Sequence, residues 1–250
     1  DSDQTGDDNT STVAQTGGDL NELYAYQKGA GSNNVEATQT DGQSNTLWAQ
    51  QKGAGSNDVT ATQTEGSSNY LDIVQKGSVG GNKATATQTR GDSNTLWARQ
   101  KGLGGNETTL TQVDGTDNYV DMVQNGFENV STITQGGIDN AASITQTGDD
   151  HISKIRQDVY GNRNANNVAN SIQTGSLNES DIWQRGPSNQ NTTNVTQGGS
   201  ENDAVVSQDG GNTSFATITQ SNIGNYANTA QKDQGGAEII AVQSGQDNYF

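Results

Sequence analysis

Asn45-Thr46-Leu47-Trp48-Ala49-Gln50-Gln51 is one copy of a phrase that fills the chain: Asn, five residues, Gln. It recurs as Asn9–Gln15, Asn21–Gln27, Asn33–Gln39, Asn57–Gln63, Asn69–Gln75 and Asn82–Gln88. It continues as Asn94–Gln100, Asn106–Gln112, Asn118–Gln124, Asn129–Gln135 and Asn140–Gln146, and eight more units end at Gln157, Gln173, Gln184, Gln197, Gln208, Gln220, Gln231 and Gln243. Each of the twenty units keeps its Gln, and seventeen keep the Asn; His151, Ser214 and Ala237 stand in its place in the others. A short fixed period over a whole chain specifies a stacked, quasi-one-dimensional architecture.

Numbering each unit one to seven and reading it as a strand puts positions one, three, five and seven on one face. In the quoted unit that face is Asn45, Leu47, Ala49 and Gln51. Across the chain none of the forty residues at positions three and five is charged or aromatic. With 16% charged residues, chance gives this roughly one time in a thousand, which decides for a period of two. The charges and the strand aromatics sit at even positions, as Glu22, Asp72, Arg99, Tyr24 and Trp48 do. The inward side chains are small or aliphatic, so the expected core is thin, two sheets about 10 Å apart.

Gly, Asp, Asn and Ser fill the connections, supplying turns that need positive φ or side-chain-to-backbone bonds. Pro187 lies in one such turn, where it breaks no ladder, and the segment 158–166 is the one long connection. A solenoid sets like residues above like every rung, so Asn and Gln form amide ladders about 4.8 Å apart. A buried amide without such partners costs roughly 1–3 kcal/mol, which favours parallel stacking over a meander. The expected fold is all-β: a single solenoid over residues 1–250, ten two-strand rungs about 48 Å tall, with two facing parallel sheets. Its predicted amide ladder runs through Asn9, Gln15, Asn21, Gln27, Asn33, Gln39, Asn45, Gln51, Asn57, Gln63, Asn69, Gln75, Asn82, Gln88, Asn94, Gln100, Asn106, Gln112, Asn118 and Gln124 and on through the later units.

Only 28% of the residues are hydrophobic and the net charge is −17. Alone this composition indicates disorder, and a disordered state before assembly is expected. The acidity argues against nucleic acid as a partner. With no cysteine there is no disulfide or thiolate chemistry, and with no long apolar run there is no membrane span. The polar start at Asp1 reads as a mature form whose leader is gone. His151 occupies an Asn slot and reads as a substitute hydrogen-bonder. The acid pairs Asp7-Asp8 and Asp149-Asp150 read as solvated turn residues, and the nonapeptide of calcium-binding β-rolls is absent. No catalytic residue, metal site or cofactor is predicted.

At Gln4-Thr5-Gly6-Asp7-Asp8-Asn9 and Gln124-Asn125-Gly126-Phe127-Glu128-Asn129 the unit extends to Q-x-G-x-x-N-x5-Q. This pattern resembles the curlin repeat of the curli subunits, a bacterial functional amyloid. The resemblance covers essentially the whole chain, about ten curlin-type repeats of two strands each. It implies a secreted, extracellular subunit of a cell-surface fibre (a fimbrium) in biofilm matrix, active in adhesion, with a curli-type secretion channel and a nucleator as partners. Many turns are one residue longer than the family pattern, and no Gly-rich leader segment stands at the start. A minor, nucleating subunit is an alternative role.

The residues support polymerisation without the resemblance. A solenoid needs polar caps to stop growth, and here the repeat runs into both termini; open strand edges template more of the same. Charges in turns and on outer faces act as gatekeepers against premature assembly. Tyr24, Trp48, Tyr70, Trp97 and Tyr119 form an expected lateral stripe for bundling or adhesion. On the other face Thr60/Thr62, Thr85/Thr87, Thr109/Thr111 and Thr132/Thr134 form a grid, and an ice-binding solenoid is the alternative function. Written tail to head, Asn248-Tyr249-Phe250 and Asp1-Ser2-Asp3-Gln4 spell one further unit. These seven residues are the expected subunit junction, a strand shared between successive copies.

Overall fold

The structure, a computed structural model, describes residues 1–6, 8–77, 80–157, 166–186, 190–210, 213–232 and 236–250. Nearly all of the connection at 158–166, and Pro187, lie outside the described residues. Among the described residues twenty-one strands form two parallel sheets that alternate along the chain. The eleven-stranded sheet holds β1 (Ser2–Thr5), β3 (Glu22–Lys28), β5 (Thr46–Lys52), β7 (Tyr70–Gly77), β9 (Thr95–Gly104) and β11 (Tyr119–Phe127), then β13 (Ala141–Asp149), β15 (Val168–Ser176), β17 (Thr192–Ser200), β19 (Phe215–Ile223) and β21 (Glu238–Gln246). The ten-stranded sheet holds β2 (Thr10–Thr16), β4 (Asn34–Thr40), β6 (Asp58–Thr64), β8 (Lys83–Asp92) and β10 (Glu107–Thr116), then β12 (Val130–Ile138), β14 (Ile152–Gln157), β16 (Glu179–Arg185), β18 (Asp203–Asp209) and β20 (Tyr226–Lys232). Each strand pairs with the one two ahead of it, so one odd and one even strand make a rung of a β-solenoid.

Twenty strands match the twenty units; β1 is additional, a half-strand whose Ser2–Thr5 pairs with Ala25–Lys28. Register follows the amide positions, with Gln27 on Gln51, Gln51 on Gln75 and Gln39 on Gln63. The unit spacing shortens along the chain, and the sheets absorb the change beyond the Gln. On β10 against β12 the register shifts between Gln112 and Gly115, and on β11 against β9 between Asn125 and Phe127. A bulge there adjusts the turn without moving any inward residue to the other face. Across the long connection β13 still pairs with β15, and β14 with β16, Gln on Gln.

The core lies where the period of two places it. Leu47, Leu71, Ile73, Leu96, Leu110, Met122, Ile133, Ile144, Ile155, Ile182 and Ile218 are fully buried, interleaved with Ala37, Ala49, Ala61 and Ala86. Each large aliphatic contributes about 1.5–3 kcal/mol by leaving water, yet the alanines keep the layer thin. Burial fails only toward the ends: Ser11 and Val13 on β2 and Ile239 on β21 are half-exposed. The terminal rungs lack a neighbour on one side.

The inward assignment has a direct test. Ile144 is buried and Ser143, beside it on β13, points outward. Ile144→Asp places an unpaired charge in the core at a cost of several kcal/mol and should abolish the folded state, whereas Ser143→Lys, an outward charge in the Asp121 column, should leave it nearly unchanged. Denaturant titration of the two variants checks this; equal losses would contradict the assignment.

Candidate assembly site

The candidate site is the pair of amide columns and the open ends where they stop. Inside the stack the Gln carboxamide is used at every corner. Gln51 Nε2 donates to Gln75 Oε1 on the next rung (2.9 Å) and to the Asn34 carbonyl of the facing sheet (3.0 Å). Gln51 Oε1 in turn accepts from Gln27 Nε2 at 3.0 Å. The same pair of bonds recurs at Gln75, to Gln100 and the Asp58 carbonyl, and at Gln124, to Gln146 and the Glu107 carbonyl. On the even strands Gln63 bonds Gln88 and the Thr46 carbonyl. One column therefore stitches rung to rung and sheet to sheet together.

The Asn columns are wired differently. Asn33, Asn57, Asn82, Asn106 and Asn129 each donate Nδ2 to the Oδ1 of the Asn one rung below, as Asn57 does to Asn33 at 2.8 Å. In the odd-strand column the backbone N–H carries much of this role: Asn45 N donates to Asn21 Oδ1 (3.0 Å) and Asn69 N to Asn45 Oδ1 (2.9 Å). Side-chain amides join there at Asn94 and Asn118. The free Nδ2 hydrogens turn to glycine carbonyls in the next turn, as Asn106 does to Gly126 (3.1 Å) and Asn129 to Gly148 (2.8 Å). This explains the Gly of Q-x-G-x-x-N. Gly126 has φ of 139° and a Cβ there would collide with the Gly148 carbonyl, so only glycine lets successive turns close this tightly.

The two columns have opposite polarity. Gln donates toward the C-terminal end of the stack and Asn toward the N-terminal end. The odd-strand Gln column stops at Gln4, which donates to Gln27 Oε1 (2.7 Å) and leaves its own Oε1 open. At the other end Gln243 Nε2 bonds only the Tyr226 carbonyl, and Asn248 donates to Asn225 Oδ1 (2.6 Å), leaving its Oδ1 open.

One predicted ladder member does not join. Gln15 is exposed and its Nε2 turns to the Asn21 carbonyl (2.9 Å), so Gln39 Oε1 finds no partner and the even Gln column begins at Gln39. β2 has no strand outside it in its own sheet, and nothing holds Gln15 inward. Asn9 and Asn21 are half-buried for the same reason, while the remaining predicted amides from Gln27 to Gln124 are buried.

His151 continues the Asn column. Its backbone N–H donates to Asn129 Oδ1 (3.1 Å), its Nδ1 accepts from Asn178 N (3.3 Å), and its Nε2 lies 3.2 Å from the Thr147 carbonyl. That set fits the Nε2–H tautomer. The ring is fully buried, and burial holds its pKa below the ordinary value, against opposing contributions from the Thr147 carbonyl, Asp149 and Asp150.

The aromatic stripe is two pairs, not one column. Tyr24 and Trp48 stack at 5.1 Å between ring centroids, and Tyr70 and Trp97 at 6.1 Å. Asp72 stands between Trp48 and Trp97. Burial there raises its carboxyl above the usual range, with Arg99 opposing. Tyr119 is exposed on β11 opposite Thr95. The threonine grid is in register, Thr60-Thr85-Thr109-Thr132 beside Thr62-Thr87-Thr111-Thr134. The junction residues form two half-strands. Asp1–Gln4 cover positions four to seven above β3, with the Asp1 ammonium on the Leu23 carbonyl (2.8 Å). Asn248–Phe250 cover positions one to three above β20, with Tyr249 on Tyr226 and Phe250 N on the Tyr226 carbonyl. Among the described residues no group of three or more His, Cys, Asp or Glu is placed to hold a metal ion, and no helix is long and apolar enough to cross a membrane.

The sequence profile of the curlin associated repeat matches residues 115–148 and 188–221. No curated protein matches the chain. The windows span the connection into β11 through β13, and the connection before β17 through most of β19; the units outside them keep the same Gln column and the same register.

Lowered basicity at His151 gives a pH test. The unfolded imidazole takes a proton near pH ~6.5 while the folded one does not. Stability is full above that pH and falls as pH drops toward the folded pKa. His151→Asn removes this loss, so the stability difference between variant and wild type should widen in the variant's favour from about pH 7 to 5. Denaturant midpoints across that range check it; a difference that does not change with pH would overturn the buried, neutral imidazole.

Proposed function

We propose that the chain is a curlin-repeat structural protein, the subunit of an extracellular amyloid fibre that grows by end-to-end stacking. The opposite polarity of the amide columns carries this reading. A stack whose Gln columns end in an acceptor at Gln4 and in donors at Gln231 and Gln243 fits a second copy head to tail, and head to head sets acceptor against acceptor. The main-chain edges agree. β21 has no strand beyond it in its sheet, and its Ile240 and Val242 are exposed (61% and 70%). Such an edge templates another strand. Biofilm matrix, adhesion through the Tyr24–Trp48 and Tyr70–Trp97 pairs, a secretion channel and a nucleator belong to this reading through the family.

Fibre diffraction of the purified chain after incubation tests it. A meridional repeat near 4.8 Å is expected; a chain that stays monomeric would sink the polymer reading. The in-register threonine grid favours a second reading, ice binding by the soluble chain. Thermal hysteresis without fibres is its signature.

The half-strands suggest how copies of this 250-residue chain join. Positions one to three at one end and four to seven at the other complete one unit without gap or overlap. Each copy then spans twenty-one units, an odd number, so the aromatic and threonine faces exchange sides from copy to copy. Phe250 becomes the one inward aromatic. Removing Asp1–Asp3 together with Tyr249–Phe250 should slow elongation several-fold in seeded growth, by loss of the shared ladder. Unchanged elongation would rule the shared strand out in favour of plain stacking with frayed termini.

A further inference from the structure

The residue after each odd-strand Gln, at the edge of the aromatic face, is Lys28, Lys52, Lys76 and then Lys101 on four successive rungs, Cα on Cα in register. Parallel pairing sets them about 4.8 Å apart. They are a third of the twelve basic residues in a chain of net charge −17. Among the described residues none of the four makes an ion pair; Lys52 Nζ lies 5.3 Å from the Tyr26 ring centroid. The four connections that follow these lysines, at 29–32, 53–56, 77–81 and 102–105, contain no acid.

The same four rungs end, at the opposite edge of the slab, in Asp41, Glu65, Asp92 and Asp114. Asp41, Glu65 and Asp92 are exposed and form no ion pair among the described residues. Asp92 accepts from Ser67 N (2.8 Å), and Asp114 is held by Arg90 (2.8 Å). Each rung from β3/β4 to β9/β10 therefore carries a lysine at one edge and a carboxylate at the other; Asp41, Glu65 and Asp114 follow one column in which Arg90 takes the third place, and Asp92 lies two residues on, level with Ser67 and Thr116.

We propose that a second copy of this chain docks side by side, parallel and level, so that Lys28, Lys52, Lys76 and Lys101 of one meet Asp41, Glu65, Asp92 and Asp114 of the next. This contact is separate from the end contacts and turns single filaments into flat ribbons. A lone exposed pair contributes little; pairs on four successive rungs engage together, so each raises the effective concentration of the others. Further along, the lysine edge turns acidic at Glu128, Asp149, Asp150 and Glu201, which confines the contact to these rungs.

The experiment uses three full chains: wild type, a lysine-edge variant (Lys28→Glu, Lys52→Glu, Lys76→Glu, Lys101→Glu) and an acid-edge variant (Asp41→Lys, Glu65→Lys, Asp92→Lys, Asp114→Lys). Filaments are imaged and classed as single or ribbon across a salt series. Wild type should form ribbons at ~0.01 M salt and lose about nine-tenths of them by ~1 M, where the screening length falls from about 30 to 3 Å. Each variant alone should stay single, and an equimolar mixture should recover ribbons. Ribbons from the acid-edge variant alone, ribbons that survive high salt, or single wild-type filaments at every salt would overturn the proposal and leave the filament reading standing. If either variant fails to form filaments, Lys52→Gln with Lys76→Gln replaces it; its ribbons should split at lower salt than wild type, and an unchanged midpoint overturns the proposal. If wild type forms no filament, the fibre reading fails on its own. Sedimentation of the soluble chain then decides the side contact: a salt-sensitive dimer supports it and a monomer at low salt overturns it.

Discussion

The glutamine carboxamide is the group on which this architecture depends. Its two N–H hydrogens and one oxygen point three ways at once, to the rung above, to the facing sheet and to the rung below. Asparagine is shorter and takes up the turn carbonyls instead; glutamate has no donor to give and would stack like charges. A buried amide left unpaired costs about 1–3 kcal/mol. A rung is therefore comfortable only between two others, and the fold is cooperative along one axis. The thin core follows, because the facing backbones must come close enough for each Gln to reach across; the middle positions of the described strands hold Ala, Val, Leu, Ile and other non-aromatic side chains, and the one buried ring, His151, stands in an Asn slot.

The ends show the same rule in reverse. Where β2 lacks an outer neighbour, Gln15 leaves the column, Gln39 loses a partner, and Ser11 and Val13 become half-exposed. In the proposed fibre, the instability of an end and its capacity to accept another copy are one property. An added rung satisfies amides and covers aliphatics that the last rung leaves open, and in doing so creates the same deficit one step further on.

Strand identity, the inward set and the parallel stack were legible because they rest on alternation and on identical residues at a fixed spacing. His151 was legible as an Asn substitute because its slot was known, and its two ring nitrogens do fill that slot. The opposite polarity of the two columns was not legible. It depends on which side of a carboxamide faces which rung, and a sequence does not distinguish Oδ1 from Nδ2. The glycine carbonyls as Asn acceptors were hidden too, since a backbone group carries no letter. Continuity of the aromatic stripe failed for a plainer reason: Tyr70 and Tyr119 occupy position two and Tyr24, Trp48 and Trp97 position four, so residues on one face need not share a column.

In-register stacking also governs the outer faces. A neutral amide gains from lying on its own copy, whereas a charge does not, so outward positions must vary from rung to rung. They do so by alternating sign: Lys83 on Glu107, Lys154 on Asp181 and Arg185 on Asp209, with Arg156 reaching Asp181 diagonally. Where alternation lapses the chemistry registers it. Asp203 lies on Glu179 in the same column, and burial together with Glu179 and Asp181 raises its carboxyl above the usual range. A perfect repeat would be self-repelling at every charged position. The imperfect repeat keeps the inside constant, where constancy satisfies amides, and varies the outside, where constancy would set like charges 4.8 Å apart. A run of identical charges such as the four lysines departs from that rule, and in the proposed side contact its counter-charge comes from a second copy.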